Sequence, residues 1–180
     1  MAFPSYYQLI KIIIMEKKLT LKDCTKENFE KSWKVLEDAK RAYEEKEEEL
    51  SDWWRDSGYA DSVYVEMEKI LEGYSNAITE ARKNIIPYVG LKCSIKGYTD
   101  SYACVITKVI TPNKVEVMHL KYDTIDFYGC KYHIYDEADG RIKVYSRRKN
   151  GGWYTFGESL KDYPCRLILN STHHYIDPSF

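Results

Sequence analysis

The chain has 180 residues, a formal net charge of −1 and five cysteines. Hydrophobic residues make up 44% of it and aromatic residues 14%, which is enough apolar material for a folded core and excludes a disordered chain. The half before Gly90 carries a charge of −4 and the other half +3, an asymmetry too weak for a protein that binds duplex nucleic acid. The cysteines show no Cys-x-x-Cys spacing, so we expect reduced thiols, a cytoplasmic protein, no metal site and no cofactor.

Residues 1–22 are predicted to form an N-terminal extension or a strand. Their apolar run, Leu9 to Met15, is interrupted by Lys11 and is too short to cross a bilayer, so we expect no membrane anchor. Met15 is an alternative start of the chain.

Residues 23–86 are predicted to form an antiparallel helical hairpin. Apolar residues recur at helical spacing in two stretches, with Thr25 as the N-cap of the first helix and Ser57-Gly58 as the turn. Capping side chains at Asp61 and Ser62 should start the second helix, which should end before Pro87. The stripes are Phe29, Trp33, Leu36, Tyr43, Leu50 and Trp54, then Val63, Met67, Ile70, Tyr74, Ala77, Ile78 and Ala81. Stripes of this kind favour core packing or self-association, so we expect the hairpin to serve oligomerisation.

Residues 88–180 change to a period of two and are predicted to be an antiparallel β-sheet or small open barrel that binds a ligand. The fold class is therefore α+β. Turns are expected at Thr111 to Lys114 and at Asp136 to Gly140, the second closing a hairpin onto Arg141. The expected strands are Leu91 to Lys96, Tyr102 to Ile110, Lys114 to Leu120, Tyr132 to Tyr135, Arg141 to Ser146, Gly152 to Phe156 and Cys165 to Leu169.

A loop of cations, glycines and an indole joins two of these strands, in the sequence Ser146-Arg147-Arg148-Lys149-Asn150-Gly151-Gly152-Trp153. Arginine makes bidentate contacts with phosphate, glycine allows close backbone approach, and an aromatic face can stack on a base. The same residues also suit an ordinary hairpin tip with solvated charges. If the loop binds an anionic ligand, the expected ligand-binding residues are Arg147, Arg148, Asn150, Trp153, Arg166 and His173.

Motifs of catalysis are missing from the sequence: it has no nucleophile elbow, Walker loop, dinucleotide fingerprint or metalloprotease helix. His173 and His174 beside Asp177 could supply a base and its orienting group, but they could equally make structural or ligand contacts. No catalytic residue is predicted.

The C-terminal motifs carry a family resemblance. They are Gly97-Tyr98-Thr99-Asp100-Ser101 at the start of a strand, Arg148-Lys149-Asn150-Gly151 with Trp153, and the closing Tyr175, Asp177 and Phe180. In these residues the chain resembles the phage-encoded sponge proteins that defeat the Thoeris defence system by sequestering a cyclic ADP-ribose signal.

The resemblance implies a non-enzymatic protein of the infected bacterial host's cytoplasm that binds a cyclic nucleotide, an ADP-ribose isomer or a cyclic oligonucleotide, without degrading it. It also implies a homodimer or higher homo-oligomer with pockets between subunits, and places base and phosphate contacts at Asn150 and Arg166, with Arg147 or Arg148 beside them. The long hairpin and the paired histidines depart from the family pattern. Two alternatives stay open: a protein-binding inhibitor or structural phage protein that uses the helical hairpin, and a phosphodiesterase.

Overall fold

The computed structural model describes residues 19–159 and 164–177. The predicted extension or strand at residues 1–22 therefore lies largely outside the described residues, and its last part contains a 3₁₀ turn at Leu21–Asp23. The chain divides into two compact units, one holding Glu30–Ile85 and the other holding the described parts of Leu19–Phe29 and Ile86–Phe180.

The helical part of the chain consists of two helices, α1 (Lys26–Asp56) and α2 (Asp61–Lys83). The first unit holds both, except for the first four residues of α1, which belong to the second unit. Thr25 caps α1 as predicted, since its Oγ1 accepts a hydrogen bond from the Asn28 N–H at 3.3 Å. The turn uses left-handed backbone at Gly58 (φ 71°), and the Trp54 ring packs against Tyr64 at 5.3 Å across it. The helical hairpin is thus confirmed. Neither helix in the described part of the chain is long and apolar enough to cross a membrane.

The cap of α2 differs from the prediction. Asp61 is already the first helical residue, and the N-cap is Ala60, whose side chain cannot accept a hydrogen bond. The Ala60 N–H donates instead to Ser57 Oγ at 3.3 Å, so the serine of the turn helps to hold this end of the chain.

The apolar stripes of both helices are confirmed. Every predicted stripe residue is buried or half-buried, which is the pattern expected when one helix face is covered. The fully buried members are Phe29, Leu36, Leu50, Met67, Ala77 and Ala81.

The second unit contains six antiparallel strands that pair in chain order, and β6 returns to pair with β1, so the ring of strands closes. The antiparallel sheet is therefore as predicted, although its ring is closed. The strands are β1 (Lys92–Lys96), β2 (Ser101–Thr111), β3 (Lys114–Asp126), β4 (Lys131–Arg147), β5 (Trp153–Thr155) and β6 (Arg166–Leu169). Their buried side chains form the core of this unit, among them Cys93, Ile95, Cys104, Ile106, Val115, Val117, Tyr145 and Leu167.

The predicted turn at Asp136 to Gly140 is wrong. These residues lie inside β4, where the register steps from Leu120 opposite Ala138 to Tyr122 opposite Ile134, so the extra residues are absorbed as a bulge. Gly140 lies in a second register shift, between Ile142 opposite Met118 and Ala138 opposite Leu120, and takes a positive φ of 85°. The true reversal is at residues 127–130, which makes β3 and β4 one long ribbon.

Candidate functional site

Arg147 lies at the end of β4 and is part of the scaffold. Its Nε donates to Asn113 Oδ1 at 2.8 Å and its Nη2 donates to the Pro112 carbonyl at 3.1 Å, so it ties the β2–β3 turn to β4. Its guanidinium also lies 5.3 Å from the centre of the buried Trp153 ring. Burial lowers the pKa of Arg147 to about 10, which still leaves the group cationic at neutral pH.

The rest of the predicted loop is a hairpin tip that is packed on itself. Asn150 Oδ1 accepts the Gly152 N–H at 3.0 Å, and Arg148 Nη2 donates to the Glu158 carbonyl at 2.9 Å. A Cβ on Gly152 would meet the Tyr154 ring at 2.8 Å, so this glycine accommodates the loop's own aromatic ring. Arg148 Nε is buried and has no hydrogen-bond partner among the described residues.

The other two predicted residues, Arg166 and His173, are exposed and lie on different elements. Arg166 is on β6 with its guanidinium 5.8 Å from the Tyr154 ring centre. His173 precedes the last bridge of the chain and stacks on Tyr175 with ring centres 6.4 Å apart. In the described part of the chain, Arg147 therefore contacts Trp153, whereas Arg166 and His173 contact two other aromatic rings.

A different set of side chains comes together where β3 leaves β2. The pairing of these strands begins at Cys104 opposite His119, and the preceding residues of β2 are bonded on that edge by the C-terminal segment, residues 171–177. Ser101 N–H donates to the Tyr175 carbonyl at 2.7 Å, and Tyr175 N–H donates back at 2.8 Å. This segment brings His174 between the strands.

The histidine–tyrosine cluster, as we call it, consists of His119, His174, Tyr102, Tyr122 and Tyr132. Strand alternation explains its first part, because Tyr102 shares a face with Cys104 and His119 lies opposite Cys104. The Tyr102 ring centre is 5.3 Å from that of His119 and 5.7 Å from that of His174. His174 is also 4.0 Å from the Tyr122 ring centre and 4.7 Å from that of Tyr132.

Both imidazoles of the cluster have an unused nitrogen. His119 Nε2 and His174 Nε2 are buried and have no hydrogen-bond partner among the described residues. His174 Nδ1 accepts the Ala103 N–H at 3.4 Å, so in the neutral ring the proton is on Nε2. A buried polar atom without a partner costs about 1–3 kcal/mol, which a ligand atom that pairs with it would recover.

The surroundings of both rings favour the neutral form of the imidazole. Burial lowers the pKa of His119, and the cations of Lys143 and Arg141 lower it further, against the opposing effect of Asp139. Burial also lowers the pKa of His174, as do His119 and His173. A neutral imidazole can donate to a phosphate oxygen or accept a proton, so the pair suits either binding or acid–base chemistry.

Asp100 holds the edge of the cluster together. Its carboxylate accepts the Asp177 N–H at 2.9 Å and the Tyr102 hydroxyl at 3.0 Å. The Asp177 N–H, followed by the Tyr102 and Thr99 hydroxyls, lowers the pKa of Asp100, since each bond favours the charged carboxylate. Asp100 thus fixes both a ring of the cluster and the segment that carries His174.

Two cations extend the polar side of the cluster. Arg141 and Lys143 act electrostatically on His119, and Arg141 also acts on Tyr102. Both side chains are exposed, and Arg141 is paired with Asp139 at 3.7 Å, while Lys143 makes no ion pair within residues 19–159 and 164–177. Aromatic faces, imidazole donors and cations are the groups that recognise a base and a phosphate.

The described residues were also compared with what a metal ion needs as ligands. No group of three or more His, Cys, Asp or Glu side chains in them could hold a metal ion.

Sequence reasoning found only part of this cluster. The sequence pattern groups His174 with His173 and Asp177, but the structure packs the half-buried His174 imidazole among tyrosines and leaves His173 exposed. His119, Tyr102 and Tyr122 were not predicted as site residues. The available signal was His119 itself, a titratable residue in the otherwise apolar face of β3.

The comparisons with known proteins identify no relatives. No protein-family model, no curated protein and no solved structure matches this chain.

Proposed function

We propose that this protein binds a cyclic nucleotide at the histidine–tyrosine cluster and holds it intact, as a sponge for an immune signal of the cyclic ADP-ribose class or a cyclic oligonucleotide. The observation that carries the proposal is the pair of buried Nε2 atoms without partners beside three tyrosine rings. The sponge role, the homo-oligomeric state and the cytoplasm of an infected bacterium as its location follow from the sequence resemblance.

The chemistry of the cluster supports a ligand with both a base and a phosphate. The tyrosine rings offer faces for a base, and base–aromatic stacking contributes about 1–3 kcal/mol for each base. His174 Nε2–H supplies a donor for a phosphate oxygen, and Lys143 and Arg141 supply positive charge nearby. The proposed site thus differs from the hairpin tip that the sequence favoured, where Arg147 and Asn150 hold their own scaffold.

The test is a panel of melting curves with isomers of cyclic ADP-ribose and cyclic di- and trinucleotides. Ligand at about a thousand times its dissociation constant stabilises the native state by roughly 4 kcal/mol. For a chain of this length that corresponds to a rise in Tm of about 8–16 °C. No rise with any of these compounds would contradict nucleotide binding.

A phosphodiesterase is the second candidate, and the lowered pKa of His119 favours it, because a neutral imidazole can act as a general base at pH 7. His174 would then serve as a donor, since its Nδ1 already accepts the Ala103 N–H. The two functions differ in what happens to the ligand. A sponge releases it with unchanged mass after denaturation, whereas a phosphodiesterase releases a product heavier by one water molecule.

A further inference from the structure

Two buried cysteines lie side by side on neighbouring strands of the sheet. Cys93 on β1 lies directly opposite Cys104 on β2 in the antiparallel register. Their Sγ atoms are 3.3 Å apart, and the Cys104 thiol also donates to the Cys93 carbonyl at 3.3 Å. Both are free thiols.

The backbone geometry of such a pair matches what a disulfide needs. Residues directly opposite each other in an antiparallel pair have Cα atoms about 4.5–5.5 Å apart, within the range of about 4.4–6.8 Å found for disulfides. The remaining change is a closer approach of the two sulfur atoms, which rotation about the Cα–Cβ bonds can supply.

The pair also differs from the other cysteines of the chain in its environment. Cys93 and Cys104 are both 0% exposed, whereas Cys24, Cys130 and Cys165 are half-buried. Only a small uncharged reagent, or a local opening of the strands, gives access to a thiol buried in this way.

We propose that Cys93 and Cys104 form an oxidation site, which a small two-electron oxidant such as hydrogen peroxide converts into a cross-strand disulfide. One thiolate sulfur attacks a peroxide oxygen, the O–O bond breaks, and a sulfenic acid and hydroxide form. The other thiolate then attacks the sulfenic sulfur, the S–S bond forms and the S–O bond breaks. In total two thiols lose two protons and two electrons, and one peroxide becomes two water molecules.

The position of the pair gives the oxidation a structural consequence. Cys104 on β2 lies opposite Cys93 on β1 and, on its other side, opposite His119 on β3. The disulfide would therefore link β1 to β2 at the residue that neighbours His119. The reaction itself does not depend on what the histidine–tyrosine cluster binds.

The reaction should be slow at neutral pH. The Cys104 thiol and burial raise the pKa of Cys93 well above its ordinary value, and the thiolate is the reactive form. The rate of disulfide formation should therefore rise with pH.

The test uses the full-length chain with Cys24, Cys130 and Cys165 replaced by serine, so that Cys93 and Cys104 are the two remaining cysteines. Treated with hydrogen peroxide in its folded state, this variant should lose the mass of two hydrogen atoms, give a linked peptide that contains Cys93 and Cys104, and regain its mass with a phosphine reductant. The disulfide would close the loop between Cys93 and Cys104, and for a loop of this length we expect a rise in Tm of about 6–12 °C.

The same protein with the additional change Cys104→Ser is the matched control, and it should lose no hydrogen mass. Circular dichroism checks that each variant is folded before treatment. The proposal is overturned if the folded parent variant adds oxygen mass on separate cysteines, or stays unchanged under peroxide across the alkaline range while its unfolded form is oxidised.

Discussion

At the scale of single residues, Arg147, one of the cations that suggest an anion-binding loop, ties two parts of the sheet together. Arg147 reaches across to Asn113 and Pro112 and covers the Trp153 ring, contacts that require the β2–β3 turn to lie beside the end of β4. Sequence alone cannot distinguish such an arginine from a ligand contact, because the partners are 34 and 35 residues away in the chain. The composition of the loop predicts a cluster of cations, but it does not predict which residues their side chains contact.

Replacing Arg147 separates these two roles. Arg147→Met should lower the free energy of unfolding by about 2 kcal/mol, since hydrogen bonds from a charged group to Asn113 and Pro112 are lost. Ligand affinity should stay unchanged. Lys149→Met in the same loop is the control, because an exposed side chain should change stability by no more than about 0.5 kcal/mol. Urea unfolding provides the measurement, and a stable Arg147→Met protein with weakened ligand binding would contradict the scaffold role.

The two histidines of the histidine–tyrosine cluster should make stability depend on pH. Since the folded-state pKa of His119 and of His174 is lowered, the unfolded chain binds more protons below its own histidine pKa of about 6.5. Stability is therefore fully present above that value and falls as the pH drops through it toward the folded-state pKa. The slope is at most about 1.4 kcal/mol per pH unit for each histidine.

Urea unfolding at a series of pH values from about 7.5 down to about 5.5 measures how the free energy of unfolding changes with pH. This is the range in which histidines of an unfolded chain titrate. His119→Phe should reduce the slope, because the aromatic ring stays but the titrating nitrogens are removed. His133→Phe should leave the slope unchanged, since His133 is exposed and lies outside the cluster. Equal slopes in all three proteins would show that His119 is not the group responsible.

At the scale of elements, periodicity predicted the helices and most strands correctly, because each of those patterns is local. The stripes of α1 and α2 repeat within one helix, and alternation within β2 and β3 depends only on which face is covered. The turn predicted at Asp136 to Gly140 is wrong for a physical reason, because aspartate and glycine suit a turn and a bulge equally. Pairing with β3 decides between the two.

The C-terminal segment is the element on which the cluster depends, and no local pattern predicted where it would lie. It completes the β2 edge through the reciprocal bonds of Ser101 and Tyr175, and Tyr132 adds a hydrogen bond from its hydroxyl to the Ile176 carbonyl at 3.3 Å. These contacts join residues more than 40 positions apart. The position of His174 is therefore a property of the assembled sheet.

Breaking this bridge should weaken binding more than stability. Tyr175→Pro removes the N–H that donates to the Ser101 carbonyl, so His174 loses its support and ligand affinity should fall by roughly tenfold or more. Tyr175→Phe keeps the backbone bond and is the matched control for the side chain. Titration calorimetry with the ligand found in the melting panel distinguishes the two, and equal affinities would show that the segment does not hold the site.

At the scale of the whole molecule, the chain divides into two units between Ile85 and Ile86, and the second unit also includes residues 19–29. The predicted bounds of the helical and β modules stay a prediction. The half of the chain that includes the sheet carries the excess of positive charge, and the helical half carries the negative charge. The expectation of a homodimer or higher oligomer stays a prediction. Exposed aromatic rings at the hairpin turn, Trp53, Tyr59 and Tyr64, provide apolar surface on which such contacts could form.

The central claim is that the histidine–tyrosine cluster, and not the cationic hairpin tip, binds the nucleotide. The most direct measurement is calorimetric titration of the best ligand against four proteins: the wild type, His174→Phe, His133→Phe and Arg166→Ala. We expect His174→Phe to weaken binding by about 10–150-fold, because it removes one donor to a charged group while keeping the ring. His133→Phe and Arg166→Ala should bind like the wild type. Unchanged affinity in His174→Phe together with a large loss in Arg166→Ala would contradict the account and return the site to the residues around the hairpin tip.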